Sequence, residues 1–273
     1  MYDSYGRHIH YLRVSVTDRC NLRCTYCMPE AGVEWIPHSQ IMSLKDMAGV
    51  VRAAAGIGFD KVRLTGGEPL VRKGFADLVS MIAAIPSIST ISMTTNGTLL
   101  APLATDLASR GLSSINVSLD TMDEAQYALI SRGGKLEEAL AGIRAARAVG
   151  LPVKLNTVVG VGDDPAVLAA VEAFAAAEGC SIQTIRRYRL DEQKYDDERF
   201  MRPPPCADCD RIRLLANGQL KPCLHGDASV PVDWNDPEGS IVACVHMKPP
   251  CGASASAHLV SAIGGDRKST RLN

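Results

Sequence analysis

Residues 11–27 read Tyr-Leu-Arg-Val-Ser-Val-Thr-Asp-Arg-Cys-Asn-Leu-Arg-Cys-Thr-Tyr-Cys. The first part, Tyr11–Val16, is β-branched and apolar enough for a strand. It runs into Cys20-x3-Cys24-x2-Cys27, three thiols in one short loop. Such a trio can ligate three irons of a 4Fe–4S cube and leave the fourth open; three cysteines also suit zinc. The open iron matters chemically, because a cluster needs a free position to bind and reduce a substrate.

Working outward, strand candidates recur at Lys61–Leu64, Thr90–Thr94, Ser114–Leu119, Val153–Val159 and Ser181–Arg186. Helical stretches lie between them, at about 44–55, 74–85, 102–110, 135–149 and 165–178. Ser43 with Asp46 resembles a capping box, and Gly111 and Gly150 stand where helices should stop. The strands read as continuously apolar or nearly so, which suits a parallel sheet covered on both faces. About six βα units are visible where a full barrel needs eight. The expected fold is therefore α/β, an incomplete parallel β/α barrel of about six units with a small C-terminal cluster-binding extension. In such folds the loop after the first strand lies at the C-terminal end of the sheet, where chemistry is found.

The composition sets limits. The chain has 273 residues, 46% hydrophobic and 22% charged, which excludes a disordered protein. Its formal net charge is −1, so no global field holds nucleic acid or an anionic membrane, and a polyanionic ligand needs a local cluster of cations. No apolar run approaches the roughly 20 residues of a membrane span. The start, MYDSYGRHIHYLRVSV, lacks the regions of a signal peptide, so the expected address is the cytoplasm. The nine cysteines, an odd number in a long chain, favour ligation over a disulfide framework.

The texture changes near Arg186. Eleven of the seventeen residues 186–202 are charged, as in a solvated linker, and Pro203–Pro205 mark a rigid break. The expected division is 1–186 for the partial barrel, 187–205 for the linker and 206–265 for a cluster-binding region. The last residues, 266–273 (DRKSTRLN), read as a non-native tail. A second trio, Cys206-x2-Cys209-x13-Cys223, opens the C-terminal region. His225 could complete a Cys3His zinc site there. Arg211 and Arg213, at i and i+2, instead put two guanidinium forks on one strand face, suited to phosphate or carboxylate. Cys180, Cys244 and Cys251 read as incidental thiols.

The first trio, with Tyr26 just before its third cysteine, resembles the radical S-adenosylmethionine (SAM) superfamily. Gly66-Gly67-Glu68-Pro69, after the second strand, resembles that superfamily's cofactor-binding segment. The resemblance implies that Glu68 accepts hydrogen bonds from the methionyl amine, while glycines let backbone approach the ligand. Ser118 resembles a cofactor-contacting serine; read locally, it could instead cap the next helix. Both trios and the paired arginines together resemble the GTP 3′,8-cyclase family of molybdenum cofactor biosynthesis. That resemblance implies two 4Fe–4S clusters, S-adenosylmethionine, and a GTP guanine on the open iron of the second cluster. It implies a triphosphate grip by Arg13, Arg63, Thr94, Lys154, Arg211 and Arg213, converging on one mouth. The product would be (8S)-3′,8-cyclo-7,8-dihydroguanosine 5′-triphosphate, the first intermediate of molybdopterin biosynthesis. Implied partners are an electron donor such as a flavodoxin or ferredoxin, and cyclic pyranopterin monophosphate synthase as the enzyme that takes the product; a homodimer is compatible.

The chain also departs from that family. The family's Arg-Phe-Ile-Glu-x-Met segment at the sixth strand is replaced by Gln183-Thr184-Ile185-Arg186-Arg187-Tyr188-Arg189-Leu190. Only 52 residues separate Lys154 from Cys206, and Asp210 stands where the family has Asn. Ile263-Gly264-Gly265 resembles the family's double glycine, which enters the active site. A radical peptide maturase with an auxiliary cluster and a non-catalytic metal-binding scaffold are the rival readings.

Overall fold

The computed structural model describes residues 1–160, 162–187 and 205–252. Six parallel strands alternate with helices, two of which follow the fourth strand. The strands are β1 (Tyr11–Ser15), β2 (Lys61–Thr65), β3 (Thr90–Thr95), β4 (Ser114–Ser118), β5 (Val153–Val159) and β6 (Ser181–Arg186). The helices between them are α1 (Leu44–Gly56), α2 (Phe75–Ala83), α3 (Ala104–Ser109), α4 (Glu124–Ser131), α5 (Leu136–Ala148) and α6 (Pro165–Ala177). Then come β7 (Arg211–Leu214), β8 (Gln219–Lys221), β9 (Val230–Pro231) and α7 (Pro237–His246). One sheet holds all nine strands in the order β6-β5-β4-β3-β2-β1-β7-β8-β9. β1 to β7 are parallel, while β8 and β9 return antiparallel. The barrel stays open, as the count of six units predicts.

The C-terminal strands extend the barrel sheet itself, with β7 lying directly against β1. α7 packs on α1, and its Ile241, Cys244 and Val245 join the main core. Cap chemistry fixes α1: Ser43 Oγ accepts from the Asp46 amide at 3.1 Å. The Asp46 carboxylate meets the Ser43 hydroxyl at 2.7 Å, a shorter reach than the backbone contact of a Glu capping box. Gly111 and Gly150 end their helices at φ of 100° and 80°, where a side chain would be strained. α4 escapes the sequence reading, since its apolar face is weak.

The strands alternate rather than running apolar throughout, which corrects the sequence expectation. Leu12, Val14, Val62, Leu64, Ile91, Met93, Ile115 and Val117 are buried in the core that the helices share. The opposite face is polar. Arg213, Arg13, Arg63 and Ser92 stand in register across β7, β1, β2 and β3. Arg211, Tyr11, Lys61 and Thr90 form the row nearer the strand starts, and Thr94, late in β3, stands in register with Asn116 of β4 and Lys154 of β5 in a further row. A covered parallel sheet needs apolar residues on both faces; an open barrel with a polar lumen does not.

Candidate functional site

The first trio lies beyond the C-terminal end of β1, on a loop sewn to its surroundings by backbone. Gly67 and Glu68 amides donate to the Thr17 and Arg19 carbonyls. A Cβ on Gly66 would lie 2.6 Å from the Thr17 carbonyl oxygen, and one on Gly67 would collide with the Asp18 and Arg19 carbonyls. The two glycines therefore admit the cysteine loop itself. The loop also caps α4: the Arg23 and Thr25 amides donate to the Ser131 and Ile130 carbonyls, which α4 leaves unsatisfied at its end. Arg132, at φ 54°, returns its guanidinium to the Arg23 and Met28 carbonyls.

The structure gathers Cys24, Tyr26 and Ser118 at one cavity, with Asn96, Asp120 and Tyr127 in its wall. The Tyr26 hydroxyl donates to Asp120 Oδ2 at 2.7 Å, while Asp120 Oδ1 accepts from the Val158 amide at 2.8 Å. Burial, then the charges of Asp120, Cys24 and Cys27, push the Tyr26 phenol well up, so it stays a donor. Cys20 Sγ accepts from the Leu22 amide at 3.4 Å and faces the Asn96 amide group at 3.9 Å. Such donors suit thiolate sulfur, so the set fits an iron–sulfur cluster. Ser118 caps no helix, since Asp123 caps α4.

Glu68 is placed differently. Its side chain is wholly buried. Oε1 accepts from Thr95 Oγ1 at 2.6 Å and the Leu70 amide at 3.2 Å, and Oε2 from the Asn96 amide at 2.7 Å. The carboxylate thus pins the end of β3 to the turn after β2; a bound amine would share oxygens already engaged.

The second trio sits at the other end of the strands. Cys206 and Cys209 lead into the start of β7, which is parallel to β1, and Cys223 leaves β8, which runs back toward that same end. The polar face lies between the two trios; five-residue β1 alone spans about 13 Å. The five cations and Thr94 are therefore not gathered at one mouth but spread over three rows of this face. Around the Tyr11 ring stand Lys61 Nζ at 5.0 Å, Arg211 Cζ at 5.1 Å and Arg63 Cζ at 6.0 Å. Arg211 Nε pairs with Asp210 at 2.7 Å. Buried Lys221 stands opposite Arg213, and the desolvation of its ammonium pulls its pKa down. Among the described residues, Arg63 Nε and Thr94 Oγ1 are buried without a hydrogen-bond partner. Lys61 and Lys221 belong to this face and were missed; their alternation with Arg63 and Gln219 was the available signal.

Cys206 Sγ accepts from the Gly252 amide at 3.2 Å, and Cys209 Sγ from Lys248 Nζ at 3.2 Å. Burial opposes the Cys209 thiolate, but the Lys248 charge and its hydrogen bond win and draw the pKa down. These donors fit ligating thiolates as well. Among the described residues no three His, Cys, Asp or Glu side chains lie together as a single-ion site, at either trio. A four-iron cube takes its thiolates at separate corners. Cys244 is fully buried in α7, with desolvation pushing it up to about 12, an inert core thiol. Tyr188–Leu190, the remaining linker to Pro204, Ile263–Gly265 and the tail lie outside the described residues.

Comparison with known proteins agrees with this geometry. A family model described as the Radical SAM superfamily matches residues 14–174. A GTP 3′,8-cyclase of Pelotomaculum thermopropionicum is 54% identical, over 82% of this chain and 84% of its own. The chain belongs to the GTP 3′,8-cyclase family. The Geobacter sulfurreducens member is 35% identical over 322 aligned positions that take in 96% of this chain and 99% of its own. That alignment is longer than the 273-residue chain, so part of it opposes gaps in this chain. Among solved structures, Streptococcus suis SuiB bound to precursor peptide SuiA superposes at TM-score 0.68 and 14% identity, covering 92% of this chain and 67% of that one. anSMEcpe with bound AdoMet gives 0.54 at 18% identity, covering 71% and 56%. Both show the fold alone. Membership of the superfamily brings a 4Fe–4S cluster and S-adenosylmethionine. Among the described residues no helix is long and apolar enough to cross a membrane.

Proposed function

We propose that this chain is a GTP 3′,8-cyclase, a radical SAM lyase converting GTP to (8S)-3′,8-cyclo-7,8-dihydroguanosine 5′-triphosphate in the first step of molybdopterin biosynthesis. The observation that carries the reading is the row Arg213–Arg13–Arg63 across three adjacent strands, between two cysteine trios. In a chain of net charge −1, cations gathered on one sheet face repel one another unless an anion lies among them. A triphosphate is such an anion, and a peptide would be one only if it were acidic. Arg13, Arg63, Arg211, Arg213 and Lys154 grip it, and Thr94 offers its buried hydroxyl.

Cys20, Cys24 and Cys27 hold the first cluster, with Tyr26, Gly66, Gly67, Glu68 and Ser118 forming the cofactor pocket. Cys206, Cys209 and Cys223 would hold a second, which would bind the base of the substrate. Held there, the first cluster and S-adenosylmethionine would supply radical chemistry at the substrate ribose. The chain's part is positional. The two trios at opposite strand ends stretch the nucleotide along the lumen, ribose toward Cys24 and base toward Cys209. Tyr26, locked on Asp120, walls the radical side from water. In this reading residues 1–186 form the partial barrel, 187–205 the linker and 206–265 the base-binding region. An electron donor such as a flavodoxin or ferredoxin supplies the electron, and cyclic pyranopterin monophosphate synthase receives the product.

The test is anaerobic reconstitution followed by reduction with S-adenosylmethionine and GTP. Formation of 5′-deoxyadenosine together with the cyclised nucleotide is expected. Without cofactor cleavage the radical reading falls; cleavage without GTP turnover removes only the substrate.

A further inference from the structure

Lys248 follows α7 and is 4% exposed. Its ammonium donates to Cys209 Sγ at 3.2 Å, the Arg211 carbonyl at 2.8 Å and the Pro222 carbonyl at 2.9 Å. All three of its protons are used. A buried ammonium is costly unless an anion accompanies it. Among the described residues no carboxylate pairs with Lys248, and the sulfur of Cys209 is the group that can carry the charge. The two carbonyls belong to the start of β7 and to the residue before Cys223, so one ammonium ties both strands that deliver the trio. The segment carrying Lys248 is itself anchored. Arg7 donates to the Pro249, Pro250 and Cys206 carbonyls at 2.7, 3.1 and 3.0 Å. The Gly252 amide reaches Cys206.

We propose that Lys248 is a positioning residue of the second trio: its ammonium holds the Cys209 thiolate in ligating position and, by donating to that sulfur, stabilises the reduced form of the cluster bound there. This rests on the reading that Cys206, Cys209 and Cys223 hold a cluster. Donors and positive charge at ligand sulfur favour the more negative redox state and so raise the reduction potential.

The test uses the full chain with Cys20, Cys24 and Cys27 changed to Ala, so that only the second trio can bind iron. Lys248→Met and Lys248→Arg are added to this background, and each protein is reconstituted anaerobically, assayed for iron and sulfide, and titrated by absorbance or EPR. Lys248→Met is expected to keep its iron and to shift its midpoint negative by at least a tenfold change in the redox equilibrium, about 59 mV for one electron. Lys248→Arg, which keeps the charge, is expected to recover most of the shift. An unchanged midpoint in Lys248→Met overturns the proposal, as does equal loss of the cluster from both variants, which would leave Lys248 a packing brace. A parent background that binds no iron instead overturns the second cluster, and the proposal with it.

Discussion

The two cysteine trios are built in different ways. Around Cys20–Cys27 the fastening is mostly backbone to backbone, with amides of Gly67 and Glu68 on one side, carbonyls of Ile130 and Ser131 on the other, and the Arg132 guanidinium added. Around Cys206–Cys223 it is done by two buried cations, Arg7 and Lys248, that reach across from opposite ends of the chain. A loop sewn mainly by backbone is fixed largely by where glycines fall. A loop held by long side chains fails when one of them changes, and it can be tuned by the same route.

The sharpest break of the comparison separates the two chemistries. Cys24→Ala should lower S-adenosylmethionine cleavage by roughly a thousandfold or more, a loss beyond about 4 kcal/mol of transition-state stabilisation. Cys223→Ala should instead abolish GTP conversion while 5′-deoxyadenosine still forms. Chromatographic assay of both products decides; equal loss of cleavage in the two variants would merge the trios into one unit. Next in size is Gly67→Ala. Its Cβ meets the carbonyls of Asp18 and Arg19, which are backbone and cannot swing aside. Overpacking of this kind costs about 2–3 kcal/mol. Denaturant midpoints should fall, and iron should be lost from the first site before the second.

That asymmetry also explains what could be read in the chain beforehand. β5 and β6 carry the predicted bounds, and the other four strands end one residue away, because each combines β-branched residues with a glycine or polar break. The first trio is a local signal, as are Gly66 and Gly67. Their reason was not legible: they admit Thr17–Arg19, which approach only after β1 and β2 pair. Glu68 was readable as a chemical group but not as a strut, since Thr95 and Asn96 lie a whole βα unit away. The arginines were visible one by one. Their common row needs the β7–β1 pairing, which joins residues about two hundred positions apart. Lys248 gave no motif at all, for its acceptors are two carbonyls and one sulfur.

The lumen between the trios gives a smaller effect. Arg63 has a buried Nε without a partner among the described residues and lies 6.0 Å from the Tyr11 ring. A charge-assisted hydrogen bond to phosphate is worth about 1.5–3 kcal/mol. Arg63→Ala should therefore raise the KM for GTP by roughly 10- to 100-fold and leave cofactor cleavage intact. Arg63→Lys should restore part of it, since the charge returns without the fork. Steady-state assays at two ionic strengths check this, because grip by exposed charge would fade with salt whereas a buried fork should hold.

The smallest effect tests the clasp behind the second trio. Asp3 Oδ1 accepts from the Tyr5 and Arg7 amides at 2.9 and 3.0 Å, and Oδ2 takes the Arg7 guanidinium at 2.6 Å. Burial opposes its charge, yet these donors outweigh it and hold the carboxyl below its ordinary value of 3.8. A carboxyl depressed in the folded state adds stability above its unfolded pKa and loses it as pH falls through the folded one. Asp3→Asn should then cost about 1 kcal/mol at pH 7, and the gap to wild type should close as pH falls below 3.8 and through the lowered folded-state pKa. Urea midpoints of the iron-free proteins across that range measure it. In reconstituted protein at pH 7, the same variant should release iron from Cys206–Cys223 faster than from Cys20–Cys27, because Arg7 grips the Cys206 carbonyl and touches nothing at the other end. Uniform release from both sites would mean that the N-terminal segment steadies the whole sheet and not one trio.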